Sequence, residues 1–412
     1  MRAIIFDSTY FLLYQIHVEL KRIGGKSLLK KQITLLSKDL YLLLIRMVSK
    51  STKGKNNQIV FLLSFPSTSE TMLEALYEAF ENQLVICYTS NSQSEAEKYR
   101  QKGVPTYCLD NFFVLCNKII PLIKKSKVVL CDNYFAFLAG MTLDNETEVV
   151  QLWHANGAIK LFGLEAEYAK NATDKDKQRY LDVYQKFTKY VVSSDQMASI
   201  FERNYNQKIN ILPFGYPPTD SFFDNLWLKK VKDQFNQAFN NKKKVLLYVP
   251  TYRETSTDVP LDFAELQQNI GKDWQIFVKA HPHDKLFHEC LKQETGIITD
   301  FKGMSLQEIL PSVDCLITDY SSVPFEYSLA NREGKMIFYC YDLHKYQTEV
   351  GIELNFERWL PGKVVQTEKE LLHEIANLNP QNFEAFNLLW NNYATGKAKQ
   401  QLIDWIRSKY EN

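Results

Sequence analysis

The chain has 412 residues, 45% of them hydrophobic and 24% charged, so it is long enough for two domains with buried cores and is not disordered as a whole. Lysine and arginine (49) nearly balance aspartate and glutamate (48), which excludes the overall basic excess of a dedicated nucleic-acid binder. The seven cysteines are scattered without a C-x-x-C pair, a pattern that argues against a disulfide scaffold or a zinc site and favours a reducing compartment. The sequence shows neither an uncharged apolar run of about 18 residues nor a signal-peptide pattern, so we expect no transmembrane helix.

A strongly basic, leucine-rich segment covers residues 1–55. Between Lys21 and Lys55 there are ten basic residues and a single acidic one, Asp39, and leucine and isoleucine recur among them at helical spacing. Such a basic amphipathic helix is suited to lie in the headgroup layer of an anionic membrane. The alternative is a helix that docks on its own domain and turns a solvated basic face outward. The basic residues are Lys21, Arg22, Lys26, Lys30, Lys31, Lys38, Arg46, Lys50, Lys53 and Lys55.

Apolar strands alternate with helices over residues 56–215. Because these strands read as continuous apolar runs, they predict a parallel sheet that is covered on both faces. A long polar helical stretch is predicted over 165–189, before the last strand of this unit. The predicted strands are 58–64, 84–89, 104–108, 128–132, 148–153 and 190–193, with helices over 69–80, 95–102 and 111–124.

The same rhythm returns over residues 216–380, after a Pro/Gly-rich segment, Pro213–Pro218, that is typical of an interdomain hinge. We therefore predict an α/β protein with two Rossmann-like parallel-sheet domains and a cleft between them, followed by C-terminal helices over 381–412. In such sheets, ligands bind beyond the carboxyl ends of the strands. The predicted strands of the second domain are 244–249, 275–279, 296–299, 315–318 and 335–339.

The first polar cluster after a predicted strand is Gln151–Lys160. His154 follows the strand, and an imidazole there can accept a proton near neutral pH as a general base. Gly157 permits close backbone approach, and a helix predicted to begin near Ala158 would present N–H groups to an anion. The alternative is a histidine with a purely structural role.

Two further clusters follow strands of the second domain. Thr251 and Arg253 offer a hydroxyl and a guanidinium fork that suit a phosphate oxygen, although an arginine at a strand end also often pairs with a carboxylate. His281 is placed to hydrogen-bond or protonate a phosphate. With His283 it forms an H-x-H pair, but no third ligand recurs at a suitable spacing, so we predict no metal site.

The fourth cluster, Thr318–Glu326, predicts a strand, a polar turn and a helix. Ser321 or Ser322 is predicted to cap that helix, and the hydroxyls together with the positive helix end form a phosphate cradle. Glu326, one turn into the helix, is placed to reach ribose hydroxyls beside that phosphate. The alternative is a plain helix cap. The sequence lacks the G-x-S-x-G, P-loop and G-x-G-x-x-G motifs, which argues against an α/β-hydrolase, a P-loop NTPase and a classical dinucleotide dehydrogenase.

Taken in order, these clusters resemble the CDP-glycerol glycerophosphotransferase family of wall teichoic acid synthesis. The resemblance extends over roughly residues 59–363. It implies a GT-B fold in which CDP-glycerol binds mainly in the C-terminal half, while the acceptor and the membrane lie on the N-terminal side. The motifs that carry it are Trp153–Gly157, Pro250–Arg253, Lys279–Pro282, Thr318–Ser322, Phe338–Asp342 and Pro361–Gly362.

The resemblance also implies a role for the candidate residues, by their positions in these motifs. His154 is implied to be the catalytic base, and His281 a phosphate-binding or acid partner. The remaining implied roles are pyrophosphate ligands for Arg253, Ser321 and Ser322, and positions beside the nucleotide for Asp319 and Glu326.

Members of this family divide into primases, which add the first glycerol phosphate to a lipid-linked disaccharide, and polymerases, which extend the chain. Polymerases commonly read W-H-G-T-P-L-K at the first cluster, whereas Trp153–Lys160 reads W-H-A-N-G-A-I-K and is nearer the primase version. We therefore expect transfer of glycerol phosphate from CDP-glycerol to a membrane-anchored, lipid-linked saccharide at the cytoplasmic face, with release of CMP and no cofactor. The alternatives are a polymerase, a transferase that uses CDP-ribitol or a nucleotide sugar, and a non-catalytic membrane-surface scaffold.

Overall fold

The computed structural model describes residues 27–240, 243–253, 261–281, 284–377, 379 and 381–411. Two parallel sheets follow one another along the chain, each flanked by helices, which confirms the predicted α/β architecture. The strands are parallel because each connection crosses over through helices or loops before the next strand begins.

The first sheet has seven strands in the order β3-β2-β1-β4-β5-β6-β7. Strands β1 and β2 are buried along their whole length, as expected for a parallel sheet covered on both faces. The strands are β1 Ile59–Leu63, β2 Leu84–Tyr88, β3 Thr106–Cys108, β4 Val128–Cys131, β5 Glu148–Gln151, β6 Lys189–Val191 and β7 Ile211–Leu212.

The second sheet has six strands in the order β10-β9-β8-β11-β12-β13. Its inner strands β8, β11 and β12 repeat the arrangement of β1, β4 and β5, so the two halves share a topology. The strands are β8 Lys244–Val249, β9 Trp274–Val278, β10 Ile297–Ile298, β11 Cys315–Thr318, β12 Lys335–Tyr339 and β13 Lys363–Val365.

The α-helices cover the two sheets and are numbered in chain order. A π-helical turn, Leu115–Ile119, joins α4 to α5. The helices are α1 Ser27–Ser51, α2 Glu70–Phe80, α3 Gln93–Gln101, α4 Phe112–Val114, α5 Ile120–Lys125, α6 Glu167–Lys170, α7 Asp174–Tyr184, α8 Asp195–Tyr205, α9 Asn225–Phe239, α10 Phe263–Ile270, α11 Lys285–Leu291, α12 Leu306–Ile309, α13 Val323–Ala330, α14 Leu343–Glu349, α15 Phe356–Trp359, α16 Glu368–Ala376, α17 Glu384–Trp390 and α18 Ala398–Tyr410.

In each sheet the second strand lies on one side of the first strand and the fourth strand on the other, which makes a topological switch point. At each switch point an aspartate hydrogen-bonds the loop that follows the first strand. Asp132, after β4, accepts the backbone N–H groups of Ser64 and Phe65 after β1 at 2.7 and 2.9 Å. Asp319, after β11, accepts the N–H and the hydroxyl of Thr251 after β8 at 2.9 and 2.6 Å. Such switch points open a crevice at the carboxyl edge of the sheet, where ligands bind in open α/β folds.

The last of the C-terminal helices leaves the second domain and packs on the first. Helix α18 packs Leu402, Ile403 and Ile406 into the core on the outer face of the first sheet. Asp220 fixes its start by accepting the N–H groups of Ala398 and Lys399 at 2.9 and 2.8 Å. The chain therefore returns to its N-terminal half before it ends.

The Pro213–Pro218 segment is packed beneath this returning chain. Tyr216, Pro217 and Pro218 are buried, and Pro217 opens a 3₁₀ helix, Pro217–Phe223. Gly215 has a φ of +90°, and a Cβ there would lie 2.9 Å from the carbonyl oxygen of Tyr393. Glycine is required here because only it combines this backbone conformation with so close a contact.

Two details of the predicted elements are corrected. The helical stretch expected over 165–189 is two helices, α6 and α7, because Thr173 caps α7 by accepting the N–H of Asp176 and so begins a new helix. Two short strands, β7 and β13, were not predicted.

Helix α1 docks on the first domain with one face and exposes the opposite one. Tyr41 and Ile45 are buried in the core, and Ser49 bonds to Thr142. Among the described residues, no helix combines the length and apolar composition needed to span a bilayer. The outward face carries large apolar side chains with exposed fractions of at least half: Leu36 66%, Leu40 57%, Leu43 50% and Met47 50%.

Candidate active site

His154 lies on a tight loop at the carboxyl end of β5. The preceding residue, Trp153, has a φ of +62°, a left-handed conformation that is strained for a bulky side chain. The Gln151 amide holds this conformation by accepting the N–H of Trp153 at 2.9 Å and donating to the carbonyl of Asn133 at 3.1 Å. The loop is thereby fixed so that the His154 ring turns toward the first-sheet switch point.

The orientation of the His154 ring determines which nitrogen is available. The Phe65 ring stacks on it at 4.2 Å, and Nδ1 lies 3.1 Å from the carbonyl oxygen of Asp132. Because a carbonyl only accepts, Nδ1 carries the hydrogen and Nε2 carries the lone pair of the neutral ring. His154 therefore presents a proton acceptor at Nε2.

The charge state of His154 follows from its surroundings. Burial lowers the pKa of His154 to about 4, the bond to the Asp132 carbonyl opposes this, and the positive charge of Lys160 lowers it further. The ring is consequently neutral at pH 7 and able to accept a proton.

Asp132 helps to orient the His154 ring. It was not selected as a candidate residue from the sequence. Its carboxyl is fully buried, and burial raises the pKa of Asp132 to about 7, opposed by the hydrogen bonds from Phe65 and Ser64. Since Phe65 stacks on His154, Asp132 positions the imidazole through both its backbone carbonyl and its side chain. The clue in the sequence is that Asp132 ends an apolar strand, as Asp319 does.

The chain after His154 joins the two domains, which corrects one prediction. No helix begins near Ala158; the segment runs as irregular chain to an isolated antiparallel bridge between Lys160 and Ile352. A Cβ on Gly157 would lie 2.7 Å from the ring of Phe325 in α13, so Gly157 gives close approach to the other domain. The structure thus places Gly157 against protein rather than at a helix N-terminus.

Asn156 extends this junction. Its Nδ2 donates to the Phe325 carbonyl at 3.3 Å and to Asn391 Oδ1 at 2.8 Å, and its carbonyl accepts the Ser193 hydroxyl at 2.6 Å. The loop that carries His154 is therefore bonded directly to α13 and to the C-terminal chain.

Arg253 is engaged by protein carboxylates, the alternative that the sequence had left open for it. Its Nε and Nη2 donate to both oxygens of Asp342 at 3.0 Å, and Nη1 lies 2.8 Å from Asp319 Oδ2. The rings of Tyr320 and Tyr346 lie 5.3 and 5.0 Å from the guanidinium carbon. With Thr251 also bonded to Asp319, these groups form a buried brace under the second-sheet switch point.

The polar side chains at the start of α13 make fewer hydrogen bonds within the protein than Arg253 does. The Ser321 hydroxyl accepts the N–H of Val323 at 3.2 Å. Ser322 occupies the N-cap position, but its side chain makes no capping hydrogen bond. Glu326 is partly buried, and burial alone raises its pKa to about 7. The predicted strand, turn and helix are confirmed, with Pro324 in the first turn.

Residues of both domains meet around Tyr216. Burial raises the pKa of Tyr216 well above its usual range, and the charges of Glu326 and Asp132 raise it further, so both carboxyls act on this one phenol. His281 lies beyond the carboxyl end of β9, with its ring 5.7 Å from that of Tyr252. Pro282 and His283 lie outside the described residues.

Lys160 is a further residue that was not selected from the sequence, although it closes the first cluster. Its charge lowers the pKa of His154 from one side. Burial lowers the pKa of Lys160 itself, Asp319 raises it and Arg253 lowers it. The ammonium group therefore lies within electrostatic range of both the His154 loop and the Asp319–Arg253 brace.

Comparison with known proteins agrees with the resemblance found in the motifs. The sequence profile of the family described as CDP-Glycerol:Poly(glycerophosphate) glycerophosphotransferase matches residues 43–408. The chain belongs to this family. Every candidate site residue lies within the matched range, and membership makes the protein an enzyme that transfers glycerol phosphate.

Two individual relatives and one solved structure are similar over two thirds or more of the chain. A teichoic acid glycerol-phosphate primase of Bacillus subtilis (strain 168) is 32% identical over 85% of this chain and 92% of its own. A teichoic acid ribitol-phosphate primase of Bacillus spizizenii (strain ATCC 23059 / NRRL B-14472 / W23) is 31% identical over 68% of this chain and 75% of its own. The structure of the wall teichoic acid polymerase TagF has a TM-score of 0.72 at 18% identity, covering 93% of this chain and 98% of that one, and supports the shared fold.

A metal-ligand cluster is not found in the part of the chain that the structure describes, where no three or more His, Cys, Asp or Glu side chains are grouped to hold an ion.

Proposed function

We propose that the protein is a teichoic acid primase, which transfers glycerol phosphate from CDP-glycerol to a hydroxyl of a lipid-linked saccharide and releases CMP. The observation that carries this proposal is the neutral His154, whose Nε2 lone pair is presented at the junction of the two domains. The similarity to a glycerol-phosphate primase over most of both chains supports the primase rather than the polymerase activity.

The reaction is a direct displacement at phosphorus. His154 Nε2 removes the proton from the acceptor hydroxyl, whose oxygen attacks the β-phosphorus of CDP-glycerol. The bond from that phosphorus to the bridging oxygen breaks, the electron pair stays on that oxygen, and CMP leaves. The histidine is then protonated and returns its proton to solvent.

The donor is held by the second domain. The Ser322 hydroxyl and the positive start of α13 face the phosphates, and His281 contributes a further hydrogen bond from the neighbouring strand end. Glu326 hydrogen-bonds the ribose. Arg253, bound to Asp319 and Asp342, acts by holding the loops after β8, β11 and β12 in place rather than as a phosphate ligand.

The acceptor reaches the site from a membrane surface on the N-terminal side. The exposed apolar face of α1 has exposed cationic residues beside it, Arg46, Lys50 and Lys53, and this combination is complementary to an anionic bilayer. The protein accordingly works as a peripheral enzyme at the cytoplasmic face, with its active site near the lipid-linked substrate.

The test is CMP release from CDP-glycerol in the presence of a soluble analogue of the lipid-linked disaccharide, with product length read by mass spectrometry. A single added glycerol phosphate, lost in His154→Ala, is the expected result. A ladder of products would identify a polymerase, and absence of CMP from the wild type would contradict the proposal.

Ribitol phosphate is a second candidate for the transferred group, because a ribitol-phosphate primase is similar over two thirds of this chain. The same assay with CDP-ribitol and a UDP-sugar in place of CDP-glycerol separates the donors. We expect turnover of CDP-glycerol to exceed that of the other two, and faster transfer of ribitol phosphate would revise the donor.

A further inference from the structure

Lys160 is carried at the junction between the two domains by backbone pairing. Around its bridge to Ile352, the N–H of Leu161 donates to the Gly351 carbonyl at 3.2 Å, and the N–H of Glu353 donates to the Ile159 carbonyl at 2.8 Å. This short antiparallel contact couples the position of Lys160 to the second domain although the residue belongs to the first.

The residues on both sides of the Lys160–Ile352 bridge are tightly packed. Gly351 has a φ of +89°, and a Cβ there would lie 2.7 Å from the Leu161 side chain. The buried Glu353 carboxylate accepts two hydrogen bonds from Arg203 of α8, at 2.6 and 2.5 Å. Lys160 is therefore held in place by backbone contacts and a neighbouring ion pair.

The Lys160 ammonium differs from the other cations near the cleft in its pairing. Arg253 is bound by two carboxylates and Arg203 by two others. Among the residues that the structure describes, Lys160 makes no ion pair or side-chain hydrogen bond, and it is partly buried. A cation kept partly out of water without a direct ion-pair partner is costly and is most simply explained by an anionic ligand.

We propose that Lys160 binds the diphosphate of the nucleotide donor and neutralises the charge on the phosphoryl group during transfer, the role that the motifs had assigned to Arg253. This inference rests on the proposed function. The backbone bridge to Ile352 places Lys160 where the two domains meet, and its ammonium lies within electrostatic range of both His154 and the Asp319–Arg253 brace. The attacked phosphorus must lie near these groups if His154 is the base. A lysine suits this position because it contacts phosphate as a compact point charge.

Two substitutions separate this role from a structural one. Lys160→Met keeps most of the side-chain length and removes the charge, and Lys160→Arg keeps the charge. Lys170→Met is the matched control, because Lys170 forms an exposed ion pair with Glu167 on α6. The measurements are CDP and cytidine binding by calorimetry, CMP release from CDP-glycerol, and the thermal midpoint of the free protein.

The expected result is a loss of about 10- to 100-fold in CDP affinity and in kcat/KM for Lys160→Met, with cytidine binding unchanged. Lys160→Arg is expected to recover part of both losses, and Lys170→Met to behave as wild type. Because removing a partly buried charge that lacks an ion-pair partner relieves a cost, free Lys160→Met should unfold at the same temperature as wild type or higher.

Wild-type CDP affinity and kcat/KM in Lys160→Met would overturn the inference while leaving the proposed function intact. A Lys160→Met protein that unfolds earlier and loses cytidine affinity in the same proportion as CDP affinity would also overturn it, since the residue would then be structural. Absence of CMP from the wild type would instead refute the donor, and with it this role for Lys160.

Discussion

At the scale of single residues, Asp132 and Asp319 have equivalent positions in the two halves of the molecule. Each follows the fourth strand of its sheet and bonds the loop after the first, so each fixes one wall of the crevice. Asp132 orients His154 through Phe65, and Asp319 orients Arg253. Neither carboxyl needs to contact substrate for its loss to affect the reaction.

Asp132→Ala is expected to lower kcat by about tenfold or more, because Ser64 and Phe65 lose their acceptor and the His154 ring loses its support. Asp132→Asn retains an oxygen that accepts both N–H groups and should keep most of the activity. Steady-state kinetics of the two variants, with CDP binding as the control, check this. Equal losses in both would show that the carboxylate charge, and not its hydrogen bonds, is needed.

Glu326 gives a prediction about stability and pH. Its folded pKa of about 7 lies above the usual value of 4.5, so the folded state favours the protonated form. The stability that this preference contributes is present at low pH and is lost as pH rises from about 4.5 through 7. Glu326→Gln should therefore be more stable than wild type at pH 8, by on the order of 1–3 kcal/mol, with the difference shrinking toward pH 5. Thermal unfolding at both pH values measures it, and an identical pH dependence of the two proteins would contradict it.

Much of the site at this scale was predictable because polar residues directly after apolar strands stand out. His154 and Thr251 were selected in this way, whereas Asp319 was selected through the family resemblance. The pairing of Arg253 was not predictable, since its partner Asp342 lies 89 residues along the chain. Lys160 was also missed, because its lack of an ion-pair partner depends on which groups of the second domain surround it, and those groups are distant in the sequence.

At the scale of elements, helix α1 packs one face in the first domain and exposes apolar side chains on the opposite face. Its inner face packs in the first-domain core, and Asp39 on its side pairs with Arg179 of α7 at 2.5 Å. The docked face agrees with the second alternative for the basic segment, and the exposed apolar face with cations beside it is the surface that the membrane proposal requires. The part of this segment before Ser27 lies outside the described residues.

The exposed face of α1 is expected to bind vesicles that contain anionic lipid. Replacing Leu36, Leu40 and Leu43 by Ser should abolish co-sedimentation with such vesicles, because each leucine contributes about 1.5–3 kcal/mol when buried in an apolar phase. The matched control is Leu354→Ser with Leu388→Ser, which removes side chains 77% and 74% exposed in the C-terminal half. Loss of binding in the control alone would place the membrane contact elsewhere.

The long apolar strands and their order along the chain were predictable from sequence, since a buried parallel strand reads as an unbroken apolar run. The helix expected after Gly157 was wrong for a physical reason. The segment forms its backbone bonds with residues 351–353 instead of with itself, and a distant partner of this kind leaves no local pattern.

At the scale of the whole molecule, the loop that carries His154 also forms a contact between the two domains. Gly157 lies on Phe325, Asn156 bonds to α13, and Lys160 pairs with Ile352. The position of His154 relative to α13 is therefore set by how the two halves pack.

Gly157→Ala should disturb this packing, since the added methyl would lie 2.7 Å from the Phe325 ring, and overpacking of this kind costs about 1–3 kcal/mol. We expect a lower kcat and a lower thermal midpoint, with cytidine affinity kept. The double variant Gly157→Ala/Phe325→Leu, which makes room for the methyl, should recover part of the loss. No recovery would show that Gly157 serves the substrate and not the domain contact.

The central claim is that His154 is the base for a single transfer of glycerol phosphate, and the most direct measurement is the rate of the first addition to the disaccharide analogue by wild type and His154→Ala. We predict one added unit, a fall in rate of about 10²- to 10⁴-fold in the variant, and equal CDP affinity for both proteins. A variant that transfers glycerol phosphate at a rate comparable to the wild type, with CDP still bound, would contradict the account.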